Sequence, residues 1–287
     1  MGALALAGLL FGSTFLVVQH AIARADVMPF LAVRFLVGGA VLAPIARRRH
    51  RSPGEIRHGV AAGGCLFVGF VLQTAGLRLT TAATSAFITY LLVVMVPVIG
   101  VVRTRTRPTL NVIIGVVLAV GGLVLLSGGI AGFGRGELLT VGCALAFATH
   151  IVVLGQVSGH HDPVRLTLWQ VLTVAGLCLV PGALSGGGYR FDAGVWAAAL
   201  FCGVGATAAA FWCMTYGQRV VPQTQAALIL LLEPVSAGVL GALAGNRLGA
   251  AGFVGAALIL VAVVVAELGG PRSPGLPTEL ALFPEDP

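Results

Sequence analysis

Two charged side chains stand inside apolar stretches, Arg34 and Glu233. A charge at the centre of a membrane helix costs about 2.5–3.5 kcal/mol on insertion scales, so each needs a partner or water. Arginine keeps its charge in any environment. Arg34 therefore either snorkels to the headgroups or packs as a structural cation, or it pairs with an anion. That anion would be a solute carboxylate or Glu233. Glu233 precedes Pro234, and proline leaves a backbone carbonyl unpaired one turn earlier. The glutamate then either satisfies that loosened backbone or serves as a proton site. Gln73, Tyr90, His150, Trp212 and Tyr216 fall on helical stripes and could line a cavity for a small molecule. Interhelical hydrogen bonding and close packing are the competing roles for each.

Bond-breaking chemistry has little to work with. HExxH, GxSxG, Walker A and EF-hand patterns are all missing from the sequence. His160-His161-Asp162 is a short cluster with no further ligand nearby in sequence, so no metal site is expected, and no cofactor. A membrane enzyme would need two groups at matching depth. Glu233 and Glu267 are both intramembrane carboxyls, but Glu267 stands at the far end of the last apolar run. The five cysteines (Cys65, Cys143, Cys178, Cys202, Cys213) lie inside apolar runs without CxxC spacing and read as small hydrophobes.

These residues must be carried by an unusual chain. Of 287 residues, 57% are hydrophobic and only 9% charged, with a mean hydropathy of +1.00. Soluble domains carry about 25% charged residues, so there is too little polar surface here to wrap a water-soluble core. All seventeen cations are arginine. A net charge of +7 would suit nucleic acid, but the arginines sit in short gaps between apolar runs, so no nucleic-acid partner is expected. No large soluble segment exists to bind ATP.

Apolar runs at 3–22, 29–46, 58–77, 82–102, 109–127, 137–156, 164–184, 194–216, 223–244 and 249–268 approach the roughly 20 residues that cross a bilayer as helix. The expected fold is an all-α polytopic membrane protein of ten transmembrane helices, with residues 269–287 as a disordered cytoplasmic tail. No cleavable signal is expected at the start. With the N-terminus inside, Arg47, Arg48, Arg49, Arg51, Arg57, Arg103, Arg105, Arg107, Arg165, Arg219 and Arg272 fall inside. Arg24, Arg78, Arg135, Arg190 and Arg247 fall outside. That bias favours both termini in the cytoplasm, and the expected location is a cell (inner) membrane.

The chain also repeats itself. Gly76-Leu77-Arg78-Leu79 is echoed by Gly217-Gln218-Arg219-Val220, and Arg107…Gly115 by Arg247…Gly255. The halves are 1–128 and 136–268, joined by a Gly-rich stretch. Five spans per half is odd, so the second copy inserts upside down. Two inverted five-helix repeats are a recurring transporter design.

The ordered set of short motifs resembles the EamA-type family of the drug/metabolite transporter superfamily. Phe11-Gly12-Ser13-Thr14-Phe15, Pro29 to Phe35, Gly76-Leu77-Arg78 with Thr84-Ser85-Ala86, and Leu232-Glu233-Pro234-Val235 carry the resemblance, which covers nearly everything before the tail. It implies ten helices in two inverted repeats around a central cavity, and carriage of a small organic metabolite or drug-like solute, commonly outward. One departure is clear: the place equivalent to Glu233-Pro234 holds Leu92-Val93. A membrane-embedded enzyme and a non-transporting membrane receptor are the competing classes, which reconstituted flux would separate from a carrier.

Overall fold

The computed structural model describes residues 1–104, 109–126, 133–221, 223–230, 232–245 and 249–268. The expected tail at 269–287, the first part of the join at Ser127-Gly128-Gly129, and Arg105, Arg107, Arg247 and Arg272 lie outside the described residues, as does the Glu267 side chain. Among the described residues there is helix and no strand. In hydrocarbon each backbone N–H and C=O must be satisfied internally, which leaves helix as the solution for separate apolar runs.

The first half holds α1 (Gly2–Ile22), α2 (Val27–Ala46), α3 (Glu55–Leu77), α4 (Ala82–Thr89), α5 (Leu92–Thr104) and α6 (Leu110–Leu126). The second half holds α7 (Arg135–Val157), α8 (Pro163–Leu184), α9 (Ala193–Phe201), α10 (Ala210–Gln218), α11 (Gln223–Ile229), α12 (Leu232–Leu243) and α13 (Ala250–Leu268). Among the described residues, seven helical segments are long and apolar enough to cross a membrane, with α4–α5 counting as one and α9–α10 as another. Shorter apolar stretches lie at Ile113–Leu126, Leu232–Leu243 and Ala250–Ala262.

Polar side chains start several of the helices. Asp162 Oδ1 accepts from the amides of Val164 and Arg165 at 2.9 and 3.2 Å. Asp192 Oδ1 accepts from Val195 N at 2.9 Å, and Thr81 Oγ1 from Thr84 N at 3.1 Å. These satisfy first-turn amides that have no partner within the helix.

Three of the expected continuous runs are interrupted. The run 82–102 breaks at Tyr90-Leu91, between α4 and α5. The run 223–244 breaks between α11 and α12, and there the cause is plain. Pro234 has no amide to give the Leu230 carbonyl. The Glu233 amide takes that carbonyl instead, at 2.9 Å, in a tighter turn. The run 194–216 widens into π-helix over Cys202–Ala209, where the Ala210 amide reaches back five residues to Gly205 O.

The helices pack in pairs that exchanging the halves preserves. α2 lies on α8 and α6 on α13; α1 lies on α12 as α7 lies on α5. Glycine permits the closest crossings. Gly8 and Gly12 face α12, and Gly59 and Gly63 face α8. At the α6–α13 crossing, a Cβ on Gly255 would stand 2.6 Å from the Gly122 carbonyl oxygen and 2.6 Å from the Leu126 amide nitrogen. Backbone cannot yield as a side-chain tip can. Gly255→Val is expected to cost about 1–3 kcal/mol, read as a lower unfolding midpoint in detergent. Gly64→Ala, where a Cβ meets nothing within 4 Å, should stay within about 0.5 kcal/mol of wild type.

Candidate functional site

A cavity of about 50 Å³ lies where the two halves meet, walled by α1, α2, α3, α7 and α10 and by both broken helices. At roughly 10–15 Å³ per water, it has room for a few water molecules. Its wall is mostly aromatic and aliphatic, with Phe11, Phe15, Phe70, Phe147 and Phe211 prominent. Arg34, Gln73, Tyr90, His150 and Glu233, five of the residues singled out by type and stripe, all line it.

Arg34 is 2% exposed. Its Nε donates to Thr207 Oγ1 at 3.0 Å. The guanidinium carbon sits 4.7 Å from the Phe70 ring centroid and 5.6 Å from that of Phe35, within range of attraction to the ring faces. No ion pair within 4.0 Å joins Arg34 to Glu233; they act on each other through space across the cavity. The position is built by the π-helical turn, which brings Thr207 to α2. Gly38, one turn on from Arg34, makes room: a Cβ there would lie 2.6 Å from Thr207 Cγ2. Thr207 was not visible in the sequence, because one hydroxyl in the run CGVGATAA carries no signal of its own.

The remaining polar groups are held by neighbours. His150 Nε2 and Gln170 Oε1 are 2.7 Å apart, and Gln170 Nε2 donates to Leu166 O at 3.2 Å. Gln73 Nε2 donates to Thr89 Oγ1 at 3.4 Å, one residue before the break that holds Tyr90. Glu233 occupies the first turn of α12, beside the partial positive charge of a helix start.

Trp212 and Tyr216 do not line the cavity. They stack on each other at 5.7 Å on the outer surface of α10, 37% and 49% exposed. The stripe that grouped them with Gly205 and Ala209 holds together but faces outward: a Cβ on Gly205 would meet nothing within 4 Å, and Ala209 is half-buried. Phe211 and Met214 face inward instead. The histidine cluster also dissolves: Asp162 caps α8, and His161 bonds to Ser52 and His58. Among the described residues no group of three or more His, Cys, Asp or Glu could hold a metal ion. Cys143, Cys178, Cys202 and Cys213 are buried and Cys65 is half-buried, all as free thiols.

With this geometry in place, comparison with known proteins is informative. The sequence model of the EamA-like transporter family matches residues 1–128 and again 134–267. An uncharacterized transporter of Archaeoglobus fulgidus is 30% identical over 266 residues, covering 92% of this chain and 84% of the relative. A second from the same organism is 26% identical over 265 residues, covering 92% and 94%. A solved crystal structure shares the fold at a TM-score of 0.68 and 22% identity, covering 92% of this chain and 95% of the other.

The Arg34–Thr207 bond can be tested directly. Hydrogen bonds to charged groups contribute about 1.5–3 kcal/mol. Thr207→Val is expected to lower stability in bicelles by about 2 kcal/mol, because the buried Nε–H loses its acceptor. In the Arg34→Met background the same change should cost much less.

Proposed function

The chain belongs to the EamA-like transporter family and is a multi-pass membrane transporter, and we propose that it carries a small organic metabolite or drug-like solute by alternating access, outward across the cell membrane. The observation that carries this is the cavity between two helices broken at corresponding places, the fourth expected span of each half. Paired interruptions of this kind point to the binding site of inverted-repeat carriers. The exchange of helix pairings between halves supports two inverted five-span units, at 1–128 and 136–268, and a ten-span chain. The arginine distribution supports cytoplasmic termini.

Arg34 would meet an anionic group of the solute. The starts of α5 and α12 both open on the cavity, through Leu92 and Glu233, and add their helix dipoles to that attraction. The phenylalanines would cover an apolar body, with Gln73, Tyr90 and His150 supplying hydrogen bonds. The present cavity is smaller than the roughly 300–1,000 Å³ of ordinary ligand pockets, so the state described here is closed around water-sized space. Binding a solute requires the halves to part. Uphill work would come from an ion gradient, with Glu233 taking the proton. The partners on this reading are the solute and the bilayer, with no ATP, nucleic acid or cofactor, and the protein is not an enzyme.

Proteoliposomes test this with a panel of radiolabelled metabolites. Wild type should accumulate at least one solute under a pH gradient. Glu233→Gln should abolish gradient-driven uptake while sparing solute exchange without a gradient. Undiminished gradient-driven uptake in that variant would remove Glu233 from the coupling step.

A further inference from the structure

The two halves are tied together at both ends of the cavity, and the two ties are built differently. At one end Arg165, in the first turn of α8, holds Glu55, the first residue of α3. Arg165 Nε donates to both Glu55 oxygens at 2.9 Å, Nη2 donates to Oε1, and Nη1 donates to Ala46 O at 3.1 Å. The Ser52 amide donates to Glu55 Oε2 at 3.2 Å. Both side chains are buried, 5% exposed for Glu55 and 9% for Arg165. Beside them, Ser52 Oγ and His161 Nδ1 are 2.6 Å apart, and His161 Nε2 and His58 Nδ1 are 2.6 Å apart. All of these bonds except those to Glu55 from Ser52 join residues of opposite halves.

At the other end, Arg24 after α1 meets Asp192 at the start of α9, Nη1 to Oδ2 at 3.2 Å. These side chains are 53% and 45% exposed. The Gly187 amide donates to Asp26 Oδ2 at 3.0 Å, and Asp26 also meets Arg78 at 3.7 Å with both side chains 39% exposed. The two ends correspond by topology. Each joins an acid at the start of the third span of one half to an arginine of the other, inside the second span for Arg165 and in the loop before it for Arg24. Exposed ion pairs contribute little and are screened by salt. Removing one partner of a buried pair leaves the other charge uncompensated, which is strongly disfavoured.

We infer that Glu55–Arg165 with the Ser52–His161–His58 chain is a strong latch closing the cytoplasmic face, and Arg24–Asp192 its weak counterpart outside, so the empty carrier opens outward by preference. This rests on the alternating-access reading above.

The histidine chain adds a pH response. Burial, with His58 and His160 as positive neighbours, holds His161 below the usual 6.5, against a smaller opposite pull from Glu55. Arg165 and Asp162 are further charged groups at this corner, and Arg51 and Arg57 adjoin Ser52 and His58 in the chain. The latch therefore favours neutral His161. Its contribution is full above the ordinary histidine value and is lost as pH falls below that value. Charging both rings removes the shared N–H···N bond and sets like charges together.

Spin labels decide the matter in reconstituted protein. A pair at Arg51 and Gly159 spans the α3–α8 end; a pair at Ala23 and Gly186 spans the other. Wild type at pH 8 should give one short distance for the first pair and a broad distribution for the second. Glu55→Gln should add a longer population to the first pair, at least several-fold over wild type, and E55R/R165E should restore the short distance. Asp192→Asn should leave the second pair nearly as it was. Lowering wild type to pH 5.5 should lengthen the first pair without any substitution at Glu55, and His161→Gln should abolish that response. A first pair indifferent both to Glu55→Gln and to pH overturns the inference, as does a larger opening from Asp192→Asn. Flux in the same vesicles is read separately: latch distances that respond as expected, without solute flux, would count against the carrier reading and leave the latch standing.

Discussion

Housing the Arg34 guanidinium away from bulk water is the constraint around which the centre of the bundle is arranged. A charge that cannot be neutralised has to be solvated by protein. Here the Thr207 hydroxyl, the ring faces of Phe70 and Phe35, and the distant carboxyl of Glu233 share that task. Among the described residues, one of the guanidinium's five N–H donors is hydrogen-bonded, to Thr207, and Arg34 also lines the cavity. On the proposed function, such a cation would bind an anion as well as serve the structure.

The irregular backbone follows from the same need. Regular helix satisfies all of its own carbonyls and amides and has nothing left to offer a solute. The break at Leu230 and the π turn at Cys202–Ala209 do two separate things. The first sets a helix start and a carboxyl against the cavity. The second advances Thr207 toward α2. The first occurs where surrounding helices cover the disturbed backbone, the circumstance in which a membrane tolerates it; the second keeps backbone bonds of its own, as from the Ala210 amide to Gly205 O. Gly12 shows how closely that cover fits, since a Cβ there would stand 2.3 Å from the Glu233 carbonyl oxygen.

What could be read from the sequence divides along physical lines. Apolar run length and arginine gaps outlined the helices, because burial in hydrocarbon acts on local composition. Arg34, Gln73, Tyr90, His150 and Glu233 stood out because polar side chains are costly in apolar runs, and all five reach one cavity. Trp212 and Tyr216 do share a stripe with Gly205 and Ala209, but periodicity alone does not say whether a stripe faces a cavity or the outside, and this one faces outward. Glu55 and Arg165 are 110 residues apart, each at the polar edge of its span, where charge is ordinary. Only the tertiary fold makes them partners.

A carrier built from two equal halves would have no preferred direction of opening. On the proposed function, sequence divergence between the halves would supply one. The acid at the start of the third expected span has become a buried clamp at one end and an exposed contact at the other. The proline-bearing break in α11–α12 has no proline at the equivalent place in α4–α5, where the nearest is Pro97 inside α5. As gates and hinges of the proposed cycle, the two ends would differ in strength and the two breaks in chemistry, although the pairing of helices remains the same under exchange. A twofold plan fixes which surfaces must separate. The unequal side chains placed on it decide which separates first.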